Sequence, residues 1–245
     1  MNNNKVMLEI IIDSSFFYTV GIVQTVRQKD VKKGSYKSKI KVLGARQSKT
    51  AFEHVENLIP DIYNILKKAN LSIRDIQAVK VGVGPAPFTG LRSGIAAGLG
   101  LAIGLGCKIS GFNSLLVYAL VSGKREVIVV NYARRGQVYW GHFIKEEKSK
   151  KDKVDYKTSY RNFDYKNIDC KNTDYKQINY KQLGLDISSL NEIEPILKRQ
   201  SIVQVGNINL NKCQNEKFAK NFLKMCAQAP EIPLKPLYLR PPDIS

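Results

Sequence analysis

The glycine-rich segment GLRSGIAAGLGLAIGLG, residues 90–106, constrains the fold of this 245-residue chain more than any other stretch. Its length and apolar composition predict a helix, although each interior glycine costs about 1 kcal/mol of helix stability relative to alanine. Small residues four positions apart form two stripes on that helix: Gly90, Gly94 and Gly98 on one, and Ala96, Gly100 and Gly104 on the other. Such stripes let a neighbouring backbone approach closely. The helix is therefore predicted to pack tightly, either within its own chain or against another subunit.

Two other interpretations of this region are disfavoured. A membrane span requires about 20 apolar residues, and the run from 93 to 107 has 15. The preceding loop, GVGPAPF, has the glycines of a phosphate-binding loop, but Pro85 and Pro87 remove two N–H donors and the GK[ST] ending is absent. Thr89 is expected to cap the helix, and Gly90 to permit the turn. The loop is interpreted as a rigid lead into the helix.

Composition excludes several classes of function. The four cysteines form no C-x-x-C pair, which disfavours zinc and disulfide frameworks. With only His54 and His142 in the chain, histidine-dependent hydrolases are disfavoured as well. Glu9 and Asp13 interrupt the N-terminal apolar run, so a first strand of a cytoplasmic protein is expected there instead of a signal peptide.

The net charge of +18 raises the possibility of an acidic partner such as RNA. Between residues 25 and 50, nine basic residues accompany one acid, Asp30. A single aromatic residue, Tyr36, lies among them, so the segment lacks a platform for stacking bases. A solvated basic face is favoured over RNA contact.

Hydrophobic periodicity predicts two α/β lobes with mixed sheets, over 1–112 and 113–245. Three strands are expected first, then a helix over 51–72 that Pro60 kinks or divides, a strand near 76–84 and the glycine helix. The second lobe is expected to contain a hairpin, EVIVVNYA with GQVYWGHFI, then a strand, SIVQVGNI, and a helix, EKFAKNFLKMCAQA. Four pentads from Phe163 to Gln182 indicate a low-complexity insertion at about 145–182. The tail is expected to return to the first lobe.

Several motifs together resemble the TsaB (YeaZ) family. The stretch GPAPFTGLRSGIAAGLGLA is similar to the family pattern G-P-G-S-F-T-G-L-R-I-G-x-A-x-A-K-G-L-A. IIDSS at 11–15 resembles I-D-T-S, HVENLIP at 54–60 resembles H-S-E-x-L-x-P, and PLYLRPP at 236–242 resembles the terminal P-x-Y-L-R. ARRGQVYW at 133–140 resembles D-A-R-x-G-x-V-Y-W without its Asp. The resemblance covers nearly the whole chain apart from the insertion.

The resemblance implies the two-lobed fold of the actin-like ATPase (ASKHA) superfamily and a role as a non-catalytic dimerization subunit. In that role the chain would bind and activate a TsaD-type catalytic subunit, which transfers threonylcarbamoyl to the tRNA adenosine next to the anticodon. A TsaE-type ATPase belongs to the same system. No cofactor of its own is implied; ATP and magnesium would be used by the partners. The implied partner interface comprises His54, Glu56, Leu58, Ile62, Phe88, Thr89, Gly90, Arg92, Gly94, Gly98 and Leu101.

Departures from the family pattern bear on catalysis. Active members of the superfamily place a carboxylate at the first strand of each lobe to hold magnesium-bound phosphates. Here Asp13, with Gly84, is the candidate for nucleotide binding, and Tyr132 stands at the second carboxylate position. Asp13 is expected to form a turn with its following serines rather than to bind metal. The lysine of the family helix is Leu99.

Two alternatives therefore stay open beside the partner-subunit interpretation. One is a stand-alone ATPase, sugar kinase or peptidase-like enzyme, and the other is a basic RNA-binding protein. Homodimerisation through the glycine helix is also open.

Overall fold

The first half of the chain forms a five-stranded sheet with two helices. The computed structural model describes residues 5–16, 18–30, 35–48, 55–133, 135–145, 180–197, 203–206 and 216–237. The first elements are β1 (Lys5–Asp13), β2 (Thr19–Asp30), β3 (Ser35–Gln47), α1 (Leu58–Lys68), β4 (Ala78–Gly82), α2 (Phe88–Leu105) and β5 (Lys108–Phe112). Short 3₁₀ turns cover Val55–Asn57 and Ile73–Asp75. The strand order is β3-β2-β1-β4-β5.

The second half repeats this connectivity in a four-stranded sheet. Its elements are α3 (Ser114–Ser122), β6 (Glu126–Tyr132), β7 (Gln137–Lys145), β8 (Tyr180–Ser189), α4 (Leu190–Leu197), β9 (Val203–Gly206) and α5 (Glu216–Gln228). The order is β8-β7-β6-β9. In each sheet the first strand has an antiparallel neighbour and a parallel one: β2 and β4 flank β1, and β7 and β9 flank β6. The predicted pair of related α/β lobes with mixed sheets is confirmed.

The core lies on both sides of the first sheet. Ile10 and Ile12 of β1 pack in a cluster beneath α1 and α2, whereas Ile11, between them, packs in a second cluster with α3, α5 and β6. Alternate residues of a strand point to opposite faces. Because both faces of β1 are buried, its sequence is an unbroken apolar run instead of an alternating one.

The last described helix and the segment after it pack against the first sheet. Leu223 of α5 lies so close to Gly21 of β2 that a Cβ at Gly21 would overlap it. Ile232 then forms an antiparallel bridge with Gly111, and the amide of Leu237 donates to the carbonyl of Val83 at 2.8 Å. The C-terminal segment therefore lies along β4 and β5.

Three local expectations differ from the structure or lie outside it. Helix α1 begins at Leu58, so Pro60 lies in its first turn, where no intrahelical N–H bond is needed, and it neither kinks nor divides the helix. Helix α2 begins at Phe88, with Pro87 as N-cap and no side-chain cap, so Thr89 does not cap it. Of the pentad segment, only 180–182 are described, as the start of β8.

Candidate functional site

The stripe of Gly90, Gly94 and Gly98 faces the interior of its own lobe. Gly94 and Gly98 are buried. A Cβ at Gly94 would overlap Oγ of Ser14, and one at Gly98 would lie 2.5 Å from Cγ2 of Val81 in β4. The glycines let α2 lie directly on the strands of the sheet. The chain itself therefore fills the groove at Gly94 and Gly98, which disfavours these two as partner contacts, and the role of the half-buried Gly90 stays a prediction.

The opposite side of α2 and the outer side of α1 both carry exposed apolar residues, and the two helices cover the same face of the first sheet. A Cβ at Gly100 or Gly104 would meet nothing within 4 Å. Large apolar side chains are exposed on both helices: Ile59 (52%) and Tyr63 (63%) on α1, and Leu99 (42%) and Ile103 (73%) on α2. We call these four residues with Gly100 and Gly104 the α1–α2 outer face. It combines apolar anchors with an open stripe that another backbone can approach.

The other predicted interface residues divide between core and surface. Leu58 and Ile62 are buried in the cluster beneath α1, so they support the outer face from within and cannot contact a partner. Leu101 is half-buried against the same cluster. Glu56 and Thr89 are exposed. His54 lies outside the described residues.

Arg92 and Phe88 form a contact at the start of α2. The guanidinium carbon of Arg92 lies 3.6 Å from the centre of the Phe88 ring, in a cation–π arrangement. Arg92 is exposed and Phe88 half-buried. The pair presents a charged, flat surface at the N-terminal end of the α1–α2 outer face, and its role in binding a partner stays a prediction.

Asp13 lies in a hydrogen-bonded turn at the end of β1. Its carboxylate accepts hydrogen bonds from the backbone N–H of Ser15 (3.2 Å), from Oγ of Ser15 (3.0 Å) and from Oγ of Ser114 at the start of α3 (3.0 Å). Burial raises the pKa of Asp13 to about 6, and the hydrogen bonds from Ser15 and Ser114 oppose that rise. The two bonds from Ser15 are those of the turn expected from the sequence, whereas Oγ of Ser14 has no hydrogen-bond partner among the described residues and the bond from Ser114 was not predicted.

The second lobe places an amide where the first places Asp13. Strand β6 holds the position in its sheet that β1 holds in the first, and Val127 and Val129 face the same core cluster as Ile11. Alternation puts Asn131 on that face, and it is 2% exposed. Tyr132 points the other way and is 43% exposed. The inward counterpart of Asp13 is therefore Asn131, and not the expected Tyr132.

These residues do not fit a magnesium–phosphate site with one carboxylate from each lobe. Both oxygens of Asp13 accept hydrogen bonds from serines, and its counterpart Asn131 is uncharged. No group of three or more potential metal-binding side chains occurs within the ranges that the structure describes. A Cβ at Gly82 would overlap Oδ1 of Asp13, so a strand backbone approaches the carboxylate closely.

The backbone of the loop from 82 to 87 forms hydrogen bonds with the end of β5 and the start of α3. Gly84, the other weak nucleotide candidate, is buried with φ of 95°, a conformation that favours glycine. Its carbonyl accepts from the amide of Ser114 at 2.9 Å, and the amide of Val83 donates to the carbonyl of Phe112 at 2.9 Å. The N–H of Val83 is therefore already used within the chain and is not available to a phosphate.

Only the spacing of apolar residues on α1 indicates the exposed anchors in the sequence. Ile59 and Tyr63 are four residues apart on α1, off the face that Leu58, Ile62, Ile65 and Leu66 bury. That second apolar stripe indicates an unpartnered face. In α2 both stripes consist of small residues, so periodicity alone does not identify the outer one.

Helix α2 is also the one described helix whose length and apolar composition would allow it to cross a membrane. Those two properties are weak grounds, because core helices share them. Here its buried glycines lie against Ser14 and Val81, so α2 is part of the first lobe.

A family model described as TsaD, tRNA N6-adenosine threonylcarbamoyltransferase, matches residues 42–232. Among curated proteins, the tRNA threonylcarbamoyladenosine biosynthesis protein TsaB of Escherichia coli is 34% identical over 99 residues, covering 39% of this chain and 43% of that protein. An uncharacterized protein of Mycobacterium tuberculosis is 39% identical over 104 residues, covering 42% of this chain and 48% of that protein. The matched stretch thus spans about half the length of these relatives.

Among solved structures, an uncharacterized Pseudomonas aeruginosa protein with similarity to peptidase YeaZ superposes with a TM-score of 0.56. The superposition covers 96% of this chain and 100% of that one, at 16% sequence identity. At that identity the similarity concerns the fold alone, and it agrees with the two-lobed α/β architecture.

Proposed function

This chain belongs to the TsaD-like family, within its TsaB/YeaZ group, and from that premise we propose that it is a non-catalytic partner subunit in tRNA threonylcarbamoyladenosine biosynthesis. It binds and activates a TsaD-type catalytic subunit, which transfers threonylcarbamoyl to the tRNA adenosine next to the anticodon. ATP and magnesium act on the partner subunits, among them a TsaE-type ATPase. The protein works in the cytoplasm.

The observation that carries this proposal is the α1–α2 outer face. Four of the six large apolar side chains that are exposed in the described residues lie on it. Exposed apolar groups scattered singly are normal, but four of them on two helices that cover one face of a sheet are typical of an interaction site. Leu99, at the position of the family's lysine, extends this apolar surface in the present chain. The partner is therefore expected to present a complementary apolar helix face.

The arrangement around Asp13 supports a role without independent catalysis. A phosphate-transferring site of this superfamily needs two carboxylates to position magnesium, and Asn131 provides no charge at the second position. Asp13 itself lies in a buried turn, hydrogen-bonded to Ser15 and Ser114. Both features favour the partner-subunit role over a stand-alone ATPase.

The test is complex formation with the TsaD-type protein of the same organism, measured by size-exclusion chromatography with light scattering. Gly94→Glu is unsuitable as an interface variant, since it would disrupt packing on Ser14. Ile103→Glu is the informative change, because it places a charge on the most exposed anchor. We expect the dissociation constant to rise at least about tenfold.

Tyr132→Glu is the matched control, since it changes another exposed apolar residue, on the second lobe. It is expected to leave the complex intact. If the parent chain forms no complex, the proposed function is wrong. If the parent is a homodimer that Ile103→Glu dissociates, the outer face binds a second copy instead. Steady ATP turnover by the isolated chain, abolished by Asp13→Ala, would revive the enzyme alternative.

A further inference from the structure

Two lysines form a regular row on the edge strand of the first sheet. Lys39 and Lys41 of β3 are exposed, and β3 is the outermost strand on its side of the sheet. Ile40 and Val42 pack towards α5 in the core cluster between the lobes. Alternation therefore places Lys39 and Lys41 on the opposite face, which carries α1. Their Cα atoms are about 7 Å apart, as expected for positions i and i+2.

Helix α1 runs antiparallel to β3 and ends beside this row. Near its start, Oδ2 of Asp61 lies 3.8 Å from Nε of Arg46. One turn later, a Cβ at Gly44 would lie 2.5 Å from Cγ2 of Ile65. From Asp61 to Ile65 the helix advances about 6 Å, and from Arg46 to Gly44 the strand advances about 7 Å. The two elements therefore remain side by side along their length. Continuing this path brings the end of α1 alongside Lys41.

The last two residues of α1 are Lys67 and Lys68, both exposed. With Lys39 and Lys41 they form what we call the lysine ledge. The acid of α1, Asp61, lies at the far end of the helix, where it accepts a hydrogen bond from Oη of Tyr18 at 2.9 Å and contacts Arg46. Within the described part of the chain, no ion pair neutralises the four ledge lysines.

The ledge adjoins the α1–α2 outer face. Ile59, Tyr63 and Lys67 are successively four residues apart, so they share one stripe of α1. The stripe begins with two exposed apolar anchors and ends in a cation. A partner that covers the anchors would therefore lie next to the cation at the end of this stripe.

We propose that the lysine ledge binds the phosphate backbone of the tRNA substrate, so that this subunit itself holds RNA beside the interface. The proposal rests on the proposed function. Evenly spaced cations on a strand and at a helix end match a polyanion whose charges repeat along its length. The ledge has no stacking aromatic residue between its lysines, so it is expected to hold the backbone and not to read bases.

Each pair of lysines also has an ordinary structural role, and the experiment must distinguish that role from tRNA binding. Lysine on an edge strand prevents pairing with a strand of another molecule. Lysine in the last turn of a helix complements the helix dipole. Neither role affects the affinity for tRNA.

The experiment measures binding of a fluorescent tRNA transcript to the complex of this chain with its TsaD-type partner, at several KCl concentrations. The variant is Lys39→Gln/Lys41→Gln. The control is Lys217→Gln/Lys224→Gln, which removes the same charge from the exposed side of α5, on the other face of the sheet. We expect the ledge variant to weaken tRNA binding about tenfold or more and to reduce the salt slope by about two, with little effect from the control.

Three other outcomes with the complex would each overturn the proposal. Equal weakening by both variants would mean that overall charge attracts tRNA. A loss of partner affinity with unchanged tRNA affinity would mean that the ledge meets an acidic protein surface. Self-association of the ledge variant with unchanged tRNA affinity would mean that Lys39 and Lys41 serve only to prevent β3 from pairing with a strand of another molecule.

If the parent chain forms no complex with the TsaD-type protein, the proposed function fails separately. The same tRNA titration is then made on the isolated chain and its two variants. A ledge-specific loss of affinity there supports the ledge without the partner, and its absence removes the proposal.

Discussion

Lys80 and Ala229 are joined by a hydrogen bond that connects positions 149 residues apart. Nζ of Lys80, in β4, donates to the carbonyl oxygen of Ala229 at 2.6 Å and approaches that of Ala227 at 3.4 Å. The lysine is 1% exposed. Its amino group thus meets the C-terminal carbonyls of α5, where the negative end of the helix dipole favours the charged form, while burial lowers the pKa of Lys80. This contact fixes the last helix of the chain to the central region of the first sheet.

Replacement of Lys80 by methionine is expected to lower the free energy of unfolding by about 3 kcal/mol or more. The change leaves two buried carbonyls without their donor. It also removes the cation that most strongly offsets the burial of Glu9, whose pKa is raised by that burial. Chemical denaturation at pH 7 measures the effect.

Lys108→Met provides the comparison for Lys80. Lys108 pairs with Glu231, but its side chain is 68% exposed. An exposed pair contributes at most about 1 kcal/mol. If the two variants lose the same stability, the buried contact of Lys80 does not anchor α5.

Asp13 is expected to make stability depend on pH between about 4 and 6. Its pKa is raised from 3.8 to about 6 in the folded state, mainly by burial. The folded state therefore keeps a proton that the unfolded state has lost in this window, so stability falls as pH rises. The resulting loss of stability is about 3 kcal/mol; it is complete above pH 6 and absent below pH 4.

The measurement compares unfolding free energies of the parent and Asp13→Asn at pH 4 and pH 7. The variant cannot ionise, so its stability relative to the parent is expected to increase by about 3 kcal/mol over that interval. A constant difference between the two proteins would show that Asp13 titrates normally. Ser114→Ala removes a hydrogen bond that lowers the folded-state pKa of Asp13, and is expected to extend the upper limit of the window to higher pH.

The sequence was sufficient for two related lobes and for most of their elements, but it did not predict β5, α3, β8 or α4. Apolar runs predict the strands β1, β2 and β3, and the change to a helical spacing of apolar residues near residue 58 predicts α1. The structure has these four elements. The glycines of α2 also predicted close packing. The sequence did not reveal which stripe meets the sheet, because the residues that fill the groove, Ser14 and Val81, lie elsewhere in the chain.

The counterpart of Asp13 illustrates a second limit. Motif alignment placed it at Tyr132, but a shift of one position in a strand moves a side chain to the other face. Only the packing of Val127 and Val129 shows that Asn131 is the inward residue. Exposure of Ile103 was likewise hidden, since an apolar residue has the same sequence signal whether it meets a core or a partner.

Two alanine substitutions in α2 separate its inner and outer stripes. Gly98→Ala is expected to reduce stability by about 1–2 kcal/mol, because the new methyl would lie 2.5 Å from Val81. Gly100→Ala, two positions away, meets nothing within 4 Å and is expected to increase stability by up to about 1 kcal/mol through helix propensity. Thermal and chemical unfolding measure both.

The same two variants test the outer face independently of folding. If a partner backbone approaches Gly100, the stabilised Gly100→Ala chain should bind the TsaD-type protein more weakly than the parent. Gly98→Ala, whose methyl is buried within the lobe, should retain the parent affinity wherever it remains folded. Weakened binding by Gly98→Ala alone would instead indicate that the inner stripe is accessible, contrary to its packing on Val81.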